Sequence, residues 1–197
     1  MNRFMYLMRL TVMLTIGLLF IAGCSSAIEV SKPPIKDIKE LGPNQTIVVG
    51  RFVLEPPLEV TKYRGTNIDY VMVGVYEKYP PKGKMALSYS DILYNDIKGQ
   101  SYFGGRIEKF IFVKSTNRSF YLVGCNFGRI EFPARFRVNI SPDDKAIYIG
   151  TIIYYRDDFN GLKKFKIKNE YKKAKKAFQK KFGKSLKLRK SLLTPIE

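Results

Sequence analysis

The order of apolar and polar residues divides this chain into four stretches of different character. Leu10 to Ile21 carries no charge and is rich in Leu, Ile, Met and Phe. A helix needs about 20 apolar residues to cross a bilayer, so a run of this length fits the apolar core of an export signal better than a membrane span. From Ser25 to Asn44 the pattern is lost: Pro33, Pro34 and Pro43 stand among alternating charges, as in a tether, with a short helical turn conceivable over Ile35 to Leu41.

Gln45 to Tyr155 reads as short strands. Thr46 to Leu54 is β-branched and aromatic and stops at Glu55-Pro56-Pro57. Ile68 to Tyr76 is apolar on both faces at its centre, as in a strand inside a sandwich. Ile107 to Lys114 sets Ile107, Ile111 and Val113 against Phe110 and Phe112, and Ser119 to Gly124 returns beside it. Glu131 to Ile140 alternates, with Phe132, Ala134, Phe136, Val138 and Ile140 on one face and Arg135, Arg137 and Asn139 on the other. Ser141 to Lys145 makes a tight turn before a last long strand, Ala146 to Tyr155. Tyr79 to Gly83 and Phe103-Gly104-Gly105-Arg106 read as turns, and Met85 to Gly99 as a loop or short helix. About seven strands with no helices between them predict a mainly β fold, an antiparallel β-sandwich. The period then changes. Tyr171, Ala174, Phe178 and Phe182 recur at helical spacing, with Asn169 and Glu170 suited to the start and Gly183 to the end. This predicts a C-terminal amphipathic helix whose aromatic stripe docks on the sandwich. The domain boundaries expected are 1–23 for the signal, 24–44 for the tether, 45–160 for the sandwich and 161–197 for a basic helix and tail.

Arg3 and Arg9 precede the apolar run, and Ile21-Ala22-Gly23-Cys24 follows it. This segment resembles the lipobox of bacterial lipoproteins, with Ile in place of the usual Leu. The resemblance implies cleavage between Gly23 and Cys24, a diacylglyceryl group on the Cys24 sulfur, and acylation of the new amino terminus. More than one acyl chain is what stable anchoring requires. Ser25 and Ser26 resemble an outer-membrane sorting signal, which matters if the cell has two membranes; otherwise the protein would sit on the outer face of the plasma membrane. An N-terminal membrane anchor with an incidental Cys is the other reading of this segment. Glu131 to Phe182, with Tyr148-Ile149-Gly150-Thr151-Ile152 at its centre, resembles a pattern in uncharacterised envelope lipoproteins with transthyretin-like or immunoglobulin-like sandwiches. That resemblance carries no active site with it.

Charge sharpens the picture. The chain has 35 Lys and Arg against 17 Asp and Glu, a net charge of +18. Gly161 to Lys190 holds 14 of the bases and a single acid, Glu170, whereas Cys24 to Asn160 is close to neutral. Lys172, Lys173, Lys175, Lys176, Lys180 and Lys181 are the candidate surface-binding residues. Three readings compete for them: a solvated helix face, a contact with an anionic envelope surface (phospholipid, lipopolysaccharide phosphate or wall polymer), and nucleic acid. Each Lys near an anionic membrane contributes about 1 kcal/mol. An exported, lipid-tethered domain argues against a physiological nucleic-acid partner, although phosphate contacts would form at low salt.

The chemistry legible in the sequence is sparse. There is no His, which removes imidazole general bases, Ser-His and Cys-His nucleophiles, and His metal sites. Two Cys cannot make a thiolate metal site, and with Cys24 lipidated, Cys125 reads as a small buried apolar residue, a reactive thiol being the alternative. Asp143-Asp144 and Asp157-Asp158 sit at turns, where acids cap backbone. Asp157 to Gly161 has only part of a calcium-loop pattern. No cofactor, metal or catalytic residue is expected. The function expected is a non-enzymatic binding or envelope-assembly role at the membrane, with an envelope protein as a further partner class. A carboxylate-dependent hydrolase of envelope polysaccharide and a pilotin-like accessory of a secretion system are the alternatives.

Overall fold

The two most apolar runs of the body, β1 (Gln45–Glu55) and β7 (Ala146–Arg156), lie side by side at the centre of one sheet. The computed structural model describes residues 34–59, 69–77, 100–116, 118–128 and 130–196. The remaining strands are β2 (Tyr70–Tyr76), β3 (Gln100–Arg106), β4 (Phe110–Thr116), β5 (Phe120–Phe127), β6 (Ile130–Val138), β8 (Leu162–Lys168), β9 (Arg189–Lys190) and β10 (Thr194–Pro195). One helix, α1 (Tyr171–Phe182), follows β8. One sheet has the order β4-β1-β7-β8, with β9 also on β7, and the other has the order β10-β6-β5-β2-β3.

The expectation of a mainly β chain holds, and the strand count changes. The described residues contain ten strands, not about seven. Phe103 to Arg106 is not a turn but the end of β3, paired with β2. Its glycines leave room for neighbours: a Cβ on Gly104 would stand 2.5 Å from the Tyr70 ring. Glycine here serves close packing rather than chain reversal. Leu162 to Lys168, within the region that the sequence assigns to a basic helix and tail, instead pairs with β7 as an edge strand. Its lysines have poor strand preference, but an exposed edge favours them because they block pairing with another chain. Nor are the sheets wholly antiparallel, since β1–β7 and β7–β9 run parallel.

Two apolar layers flank the first sheet. Between the sheets lie Phe52, Val73, Leu122, Phe127, Phe136 and Tyr154, all buried. On the opposite face Ile47 and Val49 of β1 and Tyr148 of β7 pack under Ala174, Phe178 and Phe182 of α1. Being covered on both faces explains why β1 and β7 lack alternation. β6, covered on one face, alternates strictly between buried and exposed. Phe178 is fully buried, a contribution of about 2–3 kcal/mol from its area alone. The chain from Pro34 onward is already part of this body. Ile35 is buried under α1 and its N–H meets the Phe112 carbonyl at 3.2 Å. A 3-10 turn at Ile38–Glu40 follows, closed by an Asp37–Glu40 capping box.

The C-terminal end is a strap across both sheets. β9 pairs with Ile147 and Tyr148 of β7, while β10 pairs with Phe136 and Arg137 of β6. β7 therefore holds β9 along its first half and β8 along Thr151 to Arg156. Gly150 stands at the changeover with φ of +119°, which an L side chain rarely adopts.

Candidate functional site

Glu170 is the single acid of the basic segment, and the fold turns it inward at the junction of β8 and α1. Its side chain is only 6% exposed. Oε2 accepts hydrogen bonds from Arg51 Nη1 and Thr151 Oγ1, both at 2.9 Å, and Oε1 accepts from Lys173 Nζ at 3.0 Å. Lys168 Nζ lies 3.7 Å from Oε1. The Glu170 N–H donates to the Tyr148 hydroxyl at 3.0 Å. Burial pushes the Glu170 pKa up, but the hydrogen bonds from Lys173 and Thr151 and the Arg51 charge outweigh it and hold the carboxyl at about 2. At neutral pH it is a fully coordinated counter-ion with no proton to give. Glu170 occupies the helix cap position without a side-chain cap bond, and Asn169 Oδ1 accepts the Tyr171 N–H at 3.2 Å. Gly183 ends the helix as the sequence predicts, its N–H bonded to the Gln179 carbonyl.

Beside this knot is an open recess of about 710 Å³. Lys168 of β8, Lys172 and Lys173 of α1 and Lys190 of β9 line it, together with Asn169, Glu170 and Tyr171. The strap places Lys190 through its pairing with Tyr148, and Tyr171 donates its hydroxyl to the Leu188 carbonyl. Because the carboxylate faces the interior, the solvent side of the recess is cationic.

The six lysines expected to act together divide three ways. Lys172 and Lys173 enter the recess. Lys175, Lys176 and Lys180 are exposed on the helix, Lys175 also bordering a smaller hollow with Lys184 and Lys187. Lys181 Nζ lies over the Phe112 and Phe182 rings, 4.9 and 5.2 Å from their centroids. Burial lowers its pKa. Lys168 and Lys190 are the recess residues that the sequence did not single out. The only available signal was their membership of the basic run, because their meeting depends on two strands that pair through β7. Gly23 and Cys24, the expected cleavage and lipidation positions, lie outside the described residues, as do Tyr79 to Gly83, expected as a turn, and Met85 to Gly99, expected as a loop or short helix.

The turn acids do not converge. Asp144 is buried by the strap, accepts the Ser141 N–H at 2.7 Å and pairs with Arg189. Burial pushes its pKa up and the Arg189 and Ser141 hydrogen bonds bring it below the usual carboxylate value. Asp157 Oδ1 accepts the Phe159 and Gly161 N–H groups at the β7–β8 hairpin. Among the described residues no three His, Cys, Asp or Glu side chains gather as a metal site, and no helix is long and apolar enough to cross a membrane. Compared with protein-family models, curated proteins and solved structures, the chain matches none.

Proposed function

We propose that this protein is a lipid-anchored envelope protein with a non-enzymatic binding or assembly role, in which the C-terminal segment contacts an anionic envelope surface. The anchor rests on the lipobox-like Ile21-Ala22-Gly23-Cys24 after an apolar run. The contact rests above all on one observation: the only acid between Gly161 and Lys190 is withdrawn from solvent, at 6% exposure, while the lysines there face outward. The aromatic stripe of α1 is spent on the core, so the exposed helix face binds through charge rather than by inserting rings. Such a contact adds about 1 kcal/mol per lysine and weakens as salt screens it over about 8–10 Å.

The test uses the intact protein in neutral-detergent micelles, titrated with an anionic phospholipid at low and high salt. Replacing Lys172, Lys173, Lys175 and Lys176 by Gln is expected to abolish a salt-sensitive binding present in the parent. Unchanged binding refutes the contact. For the anchor, radiolabelled fatty acid fed to cells is expected to mark the parent protein and not Cys24→Ala; equal labelling refutes it.

A further inference from the structure

Four lysines from three separate elements, Lys168 of β8, Lys172 and Lys173 of α1 and Lys190 of β9, line one recess of about 710 Å³, and the Lys168 and Lys173 ammonium groups meet there at one Glu170 oxygen. That size falls within the range of small-molecule sites, about 300–1,000 Å³. It exceeds what a lone inorganic ion fills and suits a charged group with an attached sugar or glycerol unit. The one acid of the described lining is already engaged. Glu170 is shared among Arg51, Thr151 and Lys173, and Arg51 supplies a counter-charge from outside the lining. Among the described residues that line the recess, four lysines stand against one acid, a net charge of +3.

The lysines retain donors for a ligand. An ammonium group has three N–H donors, and the Lys168 and Lys173 side chains are 54% and 70% exposed while each touches the same Glu170 oxygen. Several ammonium point charges around a concavity favour a compact multivalent anion over a single carboxylate, because each oxygen of a phosphoryl group can meet a different lysine. Two of the four lysines are held by strands of the same sheet, and Glu170 holds Lys173. The fold thus fixes the backbone positions of Lys168 and Lys190, and Glu170 engages the ammonium groups of Lys168 and Lys173.

We propose that this recess binds a phosphoryl group of two or more negative charges, borne by a larger envelope molecule. The proposal rests on the envelope-contact reading above and replaces a diffuse helix face by a defined site. Lys168 and Lys190 set its specificity, and Lys175, Lys176 and Lys180 lie outside it.

Calorimetry on the intact protein in neutral-detergent micelles, at physiological salt, tests this with two probes: pyrophosphate, and phosphatidic acid mixed into the micelles. The parent protein, Lys168→Gln/Lys190→Gln and Lys175→Gln/Lys176→Gln/Lys180→Gln are compared after circular dichroism establishes that all three are folded. Saturable pyrophosphate binding is expected, weakened about tenfold by the first variant and less than about twofold by the second. Phosphatidic acid following the same order assigns the phosphoryl group to a lipid headgroup; a response to pyrophosphate alone assigns it to a non-lipid phosphate. Equal weakening in both variants, or binding that never saturates, overturns the site. If the first variant binds as the parent does while the second loses anionic lipid, the site fails and the wider envelope contact survives. If the parent prefers neither anion, both fail.

Discussion

Arg51 of β1 and Glu170 at the start of α1 are 119 residues apart and meet as an ion pair at 2.9 Å. The pair ties the helix to the central strand and takes the one acid between Gly161 and Lys190 out of solvent. Glu170 titrates at about 2 in the folded protein, below the unfolded value of about 4.3. A depressed carboxyl pKa adds stability that is complete above about pH 5 and is lost as pH falls toward the folded pKa. Glu170→Gln should lower stability by about 3 kcal/mol near neutral pH, since Arg51 is then left without its counter-charge. Near pH 2 the parent and the variant should converge. Urea unfolding across this pH range measures both, and a gap that does not narrow with acid contradicts the assignment.

Phe178 is the centre of the outer apolar layer. It is fully buried and lies 5.1 Å, centroid to centroid, from the Phe182 ring. Phe178→Ala removes that area and leaves a cavity between α1 and the sheet, a loss of about 3–5 kcal/mol. Chemical denaturation provides the value. A change below about 1 kcal/mol would mean that the helix docks weakly.

The strap depends on Arg189, which pairs with buried Asp144 and also donates to the Asn139 carbonyl at 3.2 Å. Arg189→Met keeps the stem and removes the charge, leaving Asp144 buried with the Ser141 N–H but no cation. The expected cost is about 2 kcal/mol. Hydrogen exchange should quicken at the Leu193 and Ile196 amides, which bond to the Ile149 and Arg135 carbonyls, by more than at β1. Uniform acceleration of both regions would show that the strap does not open independently.

Cys125 lies in the core between the sheets, where the Tyr154 hydroxyl donates to its sulfur at 3.2 Å. Burial pushes its pKa up to about 12, so the thiolate is scarce at any ordinary pH. A thiol reagent should leave Cys125 unmodified in the native protein at mildly alkaline pH and label it fully after unfolding. Rapid native labelling would show that the core opens locally.

Legibility followed burial. β6 was plain because one covered face imposes strict alternation, and α1 because its buried stripe recurs at 3.6 residues. β8 was hidden by its lysines, and β3 by glycines whose role is to admit the Tyr70 ring and the Ile111 side chain. The recess was half visible. Lys172 and Lys173 stand within the periodic helix, whereas Lys168 and Lys190 are separated by it and carry no local mark of their meeting.

Periodicity and composition alone were enough to establish the β-rich class, the amphipathic helix, its glycine stop and the concentration of charge in one terminal segment. These are properties of near neighbours in the chain, and burial of one face or stripe writes them directly into the residue order. The parallel pairing of β1 with β7, the strap that joins the two sheets, the inward turn of Glu170 and the gathering of four lysines came from the folded form. Each joins residues distant in the chain, and such contacts are selected by the packing of whole layers, which no local spacing encodes.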